Sequence, residues 1–159
     1  MCSFTVCNVQ FSVCILTGFA RASCESLITT DEMWPLVEAS GQTEATDAIW
    51  HLLDTYDTHE PLLKNVLLRL CAYYLVGPHG PIDPVARFHL TNGASVHTIH
   101  WAANQSERAR RESAGMMVTY AYAGDERVCE YNRAQLVENK SVAASVMVRA
   151  MMMQPVSRL

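Results

Sequence analysis

His89 lies in the stretch Ala86-Arg87-Phe88-His89-Leu90-Thr91-Asn92-Gly93. Imidazole changes charge near neutral pH, so a histidine held in a defined place can deliver a proton. A histidine in the last turn of a helix is also favourable simply because it faces the negative dipole end. Both readings fit the residues alone. Six cysteines, at 2, 7, 14, 24, 71 and 129, include no Cys-x-x-Cys pair and no zinc-finger spacing with histidine. No metal site is expected, and reduced thiols of an intracellular protein are the plainer reading. His97 and His100, three apart on a predicted strand, should point to opposite faces and cannot share one metal there. Arg108, Arg110 and Arg111 form the one basic cluster, interleaved with Glu107 and Glu112. Guanidinium forks suit phosphate oxygens, whereas a solvated loop is the plainer role. Tyr120 and Tyr122 share a strand face with Met116 and Val118, which favours packing in a core over chemistry.

The elements that must position these residues are legible from caps and periodicity. Asp83-Pro84 supplies an N-cap followed by proline at the first helical position, and Asn92-Gly93 supplies a stop. Between them a two-turn helix is expected from Val85 to about Thr91. Ser95–Trp101 and Met116–Tyr122 alternate with a period of two and read as strands, as does the stretch containing Val9, Phe11, Val13 and Ile15. Upstream, a short helix is expected over Met33–Ala39, closed by Gly41. Thr43 can cap a second, with Ala45, Ala48, Ile49, Leu52, Leu53 and Tyr56 on its apolar stripe. Pro61 can open a third, carrying Leu63, Val66, Leu67, Leu70, Tyr73 and Tyr74. Gly77-Pro78-His79-Gly80-Pro81 reads as a loop. Residues 133–153 read as one closing helix bearing Leu136, Val137, Val142, Ala143, Val146, Met147 and Ala150. The expected class is α+β, helices first and then strand, strand and helix.

The chain has 159 residues, with half of them apolar and 18% charged. That composition excludes intrinsic disorder and low-complexity classes and suits one core. The formal net charge of −4 argues against nucleic acid as a partner. No run reaches the ~18 apolar residues of a membrane-spanning helix. Residues 42–60 carry five acids and no base, while 61–122 carry six bases and three acids. An anion therefore finds the middle of the chain more welcoming. The terminal Ser157-Arg158-Leu159 is close to the Ser-Lys-Leu peroxisomal address, behind a Pro155 that would end a helix.

Leu70-Cys71-Ala72-Tyr73-Tyr74-Leu75 and Asp83-Pro84-Val85-Ala86-Arg87-Phe88-His89-Leu90-Thr91-Asn92-Gly93-Ala94 resemble the carboxy-terminal part of the malonyl-CoA decarboxylase family. The resemblance continues through Ile99-His100-Trp101-Ala102, Ser113-Ala114-Gly115-Met116-Met117 and Tyr120, and covers about residues 26–159. It implies residues 1–25 as a poorly matching leader with one candidate strand. Residues 26–159 would then be the carboxy-terminal portion of a catalytic domain with an N-acetyltransferase-like fold, a partial domain. In N-acetyltransferases a helix of pattern Ala-x-x-Phe-Tyr-x-x-x-Gly packs beside coenzyme A. The helix around His89 looks like it, with His89 where the tyrosine stands. The resemblance implies conversion of malonyl-CoA to acetyl-CoA and carbon dioxide, His89 protonating the enolate. It further implies Tyr120 as a matching site position, and His89, Asn92 and Arg108 as substrate contacts. No metal or flavin is implied, because the thioester itself stabilises the carbanion. Members often end in a peroxisomal tripeptide, so peroxisomal import is expected, with cytoplasm and mitochondrion as alternatives. A homo-oligomer is a further expectation.

Some residues depart from the family pattern. Its serine, in a Leu-Ser-Pro-Ile-Pro-Gly-Phe segment, aligns with Cys14 when counted back from Gly18, and a short slip brings in Ser12 instead. His100 and Thr119 each stand where the family has asparagine, and Asn104 where it has aspartate. Weak or absent activity of this chain is therefore expected. A non-catalytic acyl-CoA binder or acyltransferase on the same fold, or an inactive structural fragment, remain the alternatives.

Overall fold

A computed structural model describes residues 5–10, 35, 37–43 and 45–153. Three strands, β1 (Thr5–Gln10), β2 (Ser95–His100) and β3 (Met117–Tyr122), form an antiparallel sheet in the order β1-β3-β2. The helices among the described residues include α1 (Ala45–Asp54), α2 (Tyr56–Val76), α3 (Pro84–Thr91), α4 (Glu107–Ser113), α5 (Glu126–Asn139) and α6 (Val146–Met153). The class is α+β, as the alternating and 3.6-residue periods indicate. Part of the expected first strand, from Phe11 on, lies outside the described residues.

The core is built around α2, which packs against α1, α6 and β2. Leu63, Val66, Leu67, Leu70 and Tyr74 are buried on the expected stripe, with Cys71 and Leu75 beside them. Across from them the sheet contributes Val96, Ile99, Val118 and Tyr120 to the same cluster. Ala48, Ile49 and Leu52 of α1 are also buried. Upstream, residues 37–40 are helical and Gly41, at φ +68°, closes the turn by donating its N–H to the Val37 carbonyl at 2.9 Å.

The helix that carries His89 is the best-specified element. Pro84 starts it without sacrificing a helical bond, and the Asp83 carboxylate accepts from the N–H groups of Val85 (2.9 Å) and Ala86 (2.8 Å). Asp83 is itself buried. Asp83→Ala leaves two amides without their acceptor, so it should lower stability by about 1 kcal/mol. Asp83→Asn should recover most of that loss, as read from denaturant midpoints. At the other end Asn92 caps and Gly93 turns the chain at φ +85°.

Three expectations need correction. Thr55, not Pro61, separates the second and third helices, and α2 runs through Pro61. Proline removes one N–H from the ladder, but the long apolar stripe from Leu63 onward anchors the helix on the core. The closing helix is two helices, because Lys140 adopts the left-handed conformation (φ 52°) and ends α5. The following segment is extended and bridges β2: Val96 N–H donates to the Ala143 carbonyl and Ser145 N–H to the Val96 carbonyl, each at 2.9 Å. Val137, expected in the core, is consequently exposed. Finally, β2 has a bulge at His97 between Val96 and Thr98. The extra residue lets Val96 and Ile99 oppose Tyr120 and Val118, so both are buried on one face. The strict alternation expected of β2, on which the opposite-face argument for His97 and His100 rested, is therefore broken.

Candidate functional site

His89 lies in the last turn of α3 and is buried, 7% exposed. Its carbonyl accepts from the N–H groups of Asn92 and Ala94, which ties the imidazole to the turn leading into β2. Its ring stacks on Tyr120 of β3, with centroids 4.5 Å apart and planes 12° from parallel. Nδ1 lies 2.9 Å from the Tyr122 hydroxyl. Phe88 meets the ring edge-on at 5.3 Å. Strand periodicity explains the pairing: Tyr120 and Tyr122 are two apart on β3 and project to one face, where α3 lays the histidine across both.

This arrangement fixes the orientation of the ring. A tyrosine hydroxyl is donor and acceptor. It can accept from Nδ1–H or donate to a bare Nδ1, so this bond holds Nδ1 in either protonation state and leaves Nε2 outside it. Burial lowers the His89 pKa from its ordinary value of 6.5. The Tyr120 phenol is pushed far up, by burial first and then by the charge of Asp83, with Cys71, Tyr74 and Tyr122 adding to it. Tyr120 is 1% exposed. It stays neutral at physiological pH and serves as a wall behind the imidazole. Cys71 is buried and its thiol is likewise pushed far up, by burial first and then by Asp83, which makes it a poor nucleophile.

The shift of His89 has a consequence for stability. Its folded pKa lies below the unfolded one, so the unfolded chain binds more protons across the interval between them. Stability should therefore rise with pH through that window and fall on acidification from neutrality through 6.5, levelling below the folded pKa. Urea midpoints between pH 7.5 and 5.0 should show this slope, and His89→Gln should flatten it.

The other sequence-derived candidates are not all brought here. Asn92 is adjacent along the chain, but its Nδ2 donates to the Phe88 carbonyl at 2.9 Å, capping α3. Arg108 is 81% exposed and pairs through Nε with Glu112 Oε1 at 2.8 Å along α4. That helix connects the far ends of β2 and β3, about 10 Å of strand away from Tyr120. Cys14, its alternative Ser12, and Ser157-Arg158-Leu159 lie outside the described residues. Tyr122 was read from sequence as core, yet it is the hydrogen-bond partner of His89. Its spacing from Tyr120 was the available signal. His100 and Thr119, the two positions that depart from the family pattern by replacing asparagine, meet across the strands, with His100 Nε2 2.8 Å from Thr119 Oγ1. Among the described residues no group of three or more His, Cys, Asp or Glu could hold a metal ion. Among them also, no helix is long and apolar enough to cross a membrane.

Comparison with known proteins gives a consistent result. Residues 14–159 match the family model described as malonyl-CoA decarboxylase C-terminal domain. Mitochondrial malonyl-CoA decarboxylase of the goose Anser anser anser is 38% identical over 95 residues, covering 58% of this chain and 18% of the relative. The Rattus norvegicus protein of the same name is 36% identical over 95 residues, covering 58% and 19%. Among solved structures, malonyl-CoA decarboxylase from Cupriavidus metallidurans superposes with a TM-score of 0.70 at 29% identity, covering 91% of this chain and 38% of that one. The Rhodopseudomonas palustris enzyme gives 0.62 at 30% identity, covering 93% and 32%. The match thus spans about a fifth of the curated relatives and about a third of the structural ones.

Proposed function

Since this chain belongs to the malonyl-CoA decarboxylase family through its carboxy-terminal domain, we propose that it acts in the decarboxylation of malonyl-CoA to acetyl-CoA and carbon dioxide, with His89 as the proton donor. The observation that supports this role is the held imidazole: buried, stacked on Tyr120 and fixed at Nδ1 by Tyr122. Nε2 is then the ring atom directed to chemistry.

The carbon–carbon bond to the carboxylate breaks, carbon dioxide leaves, and the electron pair passes into the thioester as an enolate. The His89 imidazolium gives its Nε2 proton to the enolate carbon and becomes neutral, and solvent restores that proton. Lowering the pKa makes the imidazolium a stronger acid at the moment of transfer while reducing its population at pH 7, a balance typical of tuned general acids. The scheme draws on no metal or flavin, because the thioester delocalises the carbanion. Cys14 or Ser12 would take the place of the family serine, and Arg108 would act only as a distant phosphate contact. The terminal Ser157-Arg158-Leu159 supports a peroxisomal address for this chain, whereas the goose and rat relatives are named as mitochondrial.

The test is release of labelled carbon dioxide from malonyl-CoA by the purified chain, with its fold checked by circular dichroism. Release above the uncatalysed rate supports the proposal. A folded chain that releases none overturns it for this chain.

A further inference from the structure

Away from His89, a concave site is lined by residues of β2, α5 and the bridge from α5 to α6. It is a groove of about 420 Å³ whose walls include Ser95, His97, Tyr131, Asn132, Gln135 and Arg149. That volume falls within the range of small-molecule sites. None of its residues takes part in holding the His89 ring, so the inference does not rest on the proposed reaction.

Charge, shape and aromatic content all bear on what would fit. Arg149 is the one permanently charged side chain of the lining, and among the described residues no carboxylate lines the groove. Arg149 lines the groove, and its Nη2 donates to the Val142 carbonyl at 2.8 Å, which holds the guanidinium in place. Ser145, also in the lining, caps α6 by accepting from Val148 N–H, and the first turn of α6 carries no acid. The positive end of that helix adds to the guanidinium. The site therefore favours an anion. Tyr131 also lines the groove and is 63% exposed, so its ring face is open to a ligand. Asn132 and Gln135 flank it with amide groups. A bare inorganic anion would use Arg149 and leave Tyr131 uncontacted.

We propose that this groove binds a nucleoside phosphate, with the phosphate on Arg149 and the start of α6 and the base stacked on Tyr131. Such a ligand joins α5 to β2 and α6. This is where the fold is thinnest, since no residue of α5 is buried. Stacking on an exposed ring is sequence-tolerant and substantial in energy, and the guanidinium fork matches phosphate geometry. The nucleotide could be free or the adenosine end of coenzyme A.

Calorimetric titration of the purified chain with AMP, adenosine, inorganic phosphate and coenzyme A separates these cases. The expected result is saturable AMP binding that is weakened about tenfold by Arg149→Gln and by Tyr131→Ala. Adenosine and phosphate alone should each bind far more weakly than AMP. Displacement of AMP by coenzyme A would identify the nucleotide end of the coenzyme as the natural occupant. Coenzyme A binding alongside AMP would identify a separate effector site. Phosphate binding as tight as AMP, AMP binding unchanged in Arg149→Gln, or no saturable AMP binding overturns the proposal. Should Arg149→Gln unfold, because it also frees the Val142 carbonyl, the exposed Tyr131→Ala variant decides: unchanged AMP affinity there overturns the stacked base.

Discussion

His89→Ala should lower carbon dioxide release from malonyl-CoA by about 10²–10⁴-fold relative to the unaltered chain, the usual contribution of a placed general acid. The loss should fall mainly on kcat, because the proton is transferred after the carbon–carbon bond begins to break and the imidazole has little role in ground-state binding. Tyr122→Phe separates positioning from proton donation. It removes the hydroxyl 2.9 Å from Nδ1 while the stacking on Tyr120 remains. The ring then loses the hydrogen bond that holds Nδ1 in place. A smaller loss, about tenfold, is expected for Tyr122→Phe, with an altered pH profile. The sign of that profile follows from the buried ring: kcat/KM should fall with rising pH through a pKa below the ordinary 6.5, since only the imidazolium can protonate carbon. A His89→Ala chain as active as the original would remove the histidine from the mechanism. A kcat/KM that rises with pH through the same range would make the imidazole a base.

What made this site legible was local. Asp83-Pro84 and Asn92-Gly93 bracket α3 by side-chain capping and backbone geometry that act within a few residues, so start, stop and the position of His89 in the last turn all follow from sequence. The core stripe on α2 follows equally from its period. The misread features depend on partners far along the chain. The bulge at His97 exists because β2 pairs with β3 on one side and is bridged by Ala144 on the other. Without knowledge of either partner, the residues 95–101 give no reason to add a residue to the pleat. The same bridge draws 141–145 into an extended path and breaks the expected long helix at Lys140, a residue type that seldom marks a helix end. Tyr122 is a similar case, since its partner lies 33 residues away in sequence. Arg108 is a different case: within the charge cluster that invites a phosphate reading, its Nε pairs with Glu112 four residues on in the same helix.

Gly93→Ala should be strongly destabilising, because it strains the turn under His89 and pushes against α5 at once. Gly93 sits at φ +85°, where an L side chain is strained. An added Cβ would lie 2.5 Å from the Cys129 carbonyl oxygen and 2.7 Å from its Cα and Cβ. Two of these three atoms are backbone, so no rotamer change relieves the overlap. The carbonyl of Gly93 also accepts from Asn132 Nδ2 at 3.0 Å, a second tie between the turn and α5. A cost of roughly 2–4 kcal/mol is expected from strain and overlap together. How that cost is met follows from burial. The turn is anchored at both ends by buried groups, His89 and Leu90 before it and Ala94 and Val96 after it, whereas α5 buries none of its residues. The weaker element yields, so α5 should swing away while the core persists. Hydrogen exchange should show amides of 126–139 losing protection ahead of those of α2, with the urea midpoint lowered. Carbon dioxide release should fall less than in His89→Ala, because the stacking on Tyr120 and the Tyr122 bond involve no residue of α5. Uniform loss of protection across α2 and α5 would show instead that α5 is part of the cooperative core. Unchanged stability would show that α5 is not docked on Gly93 at all.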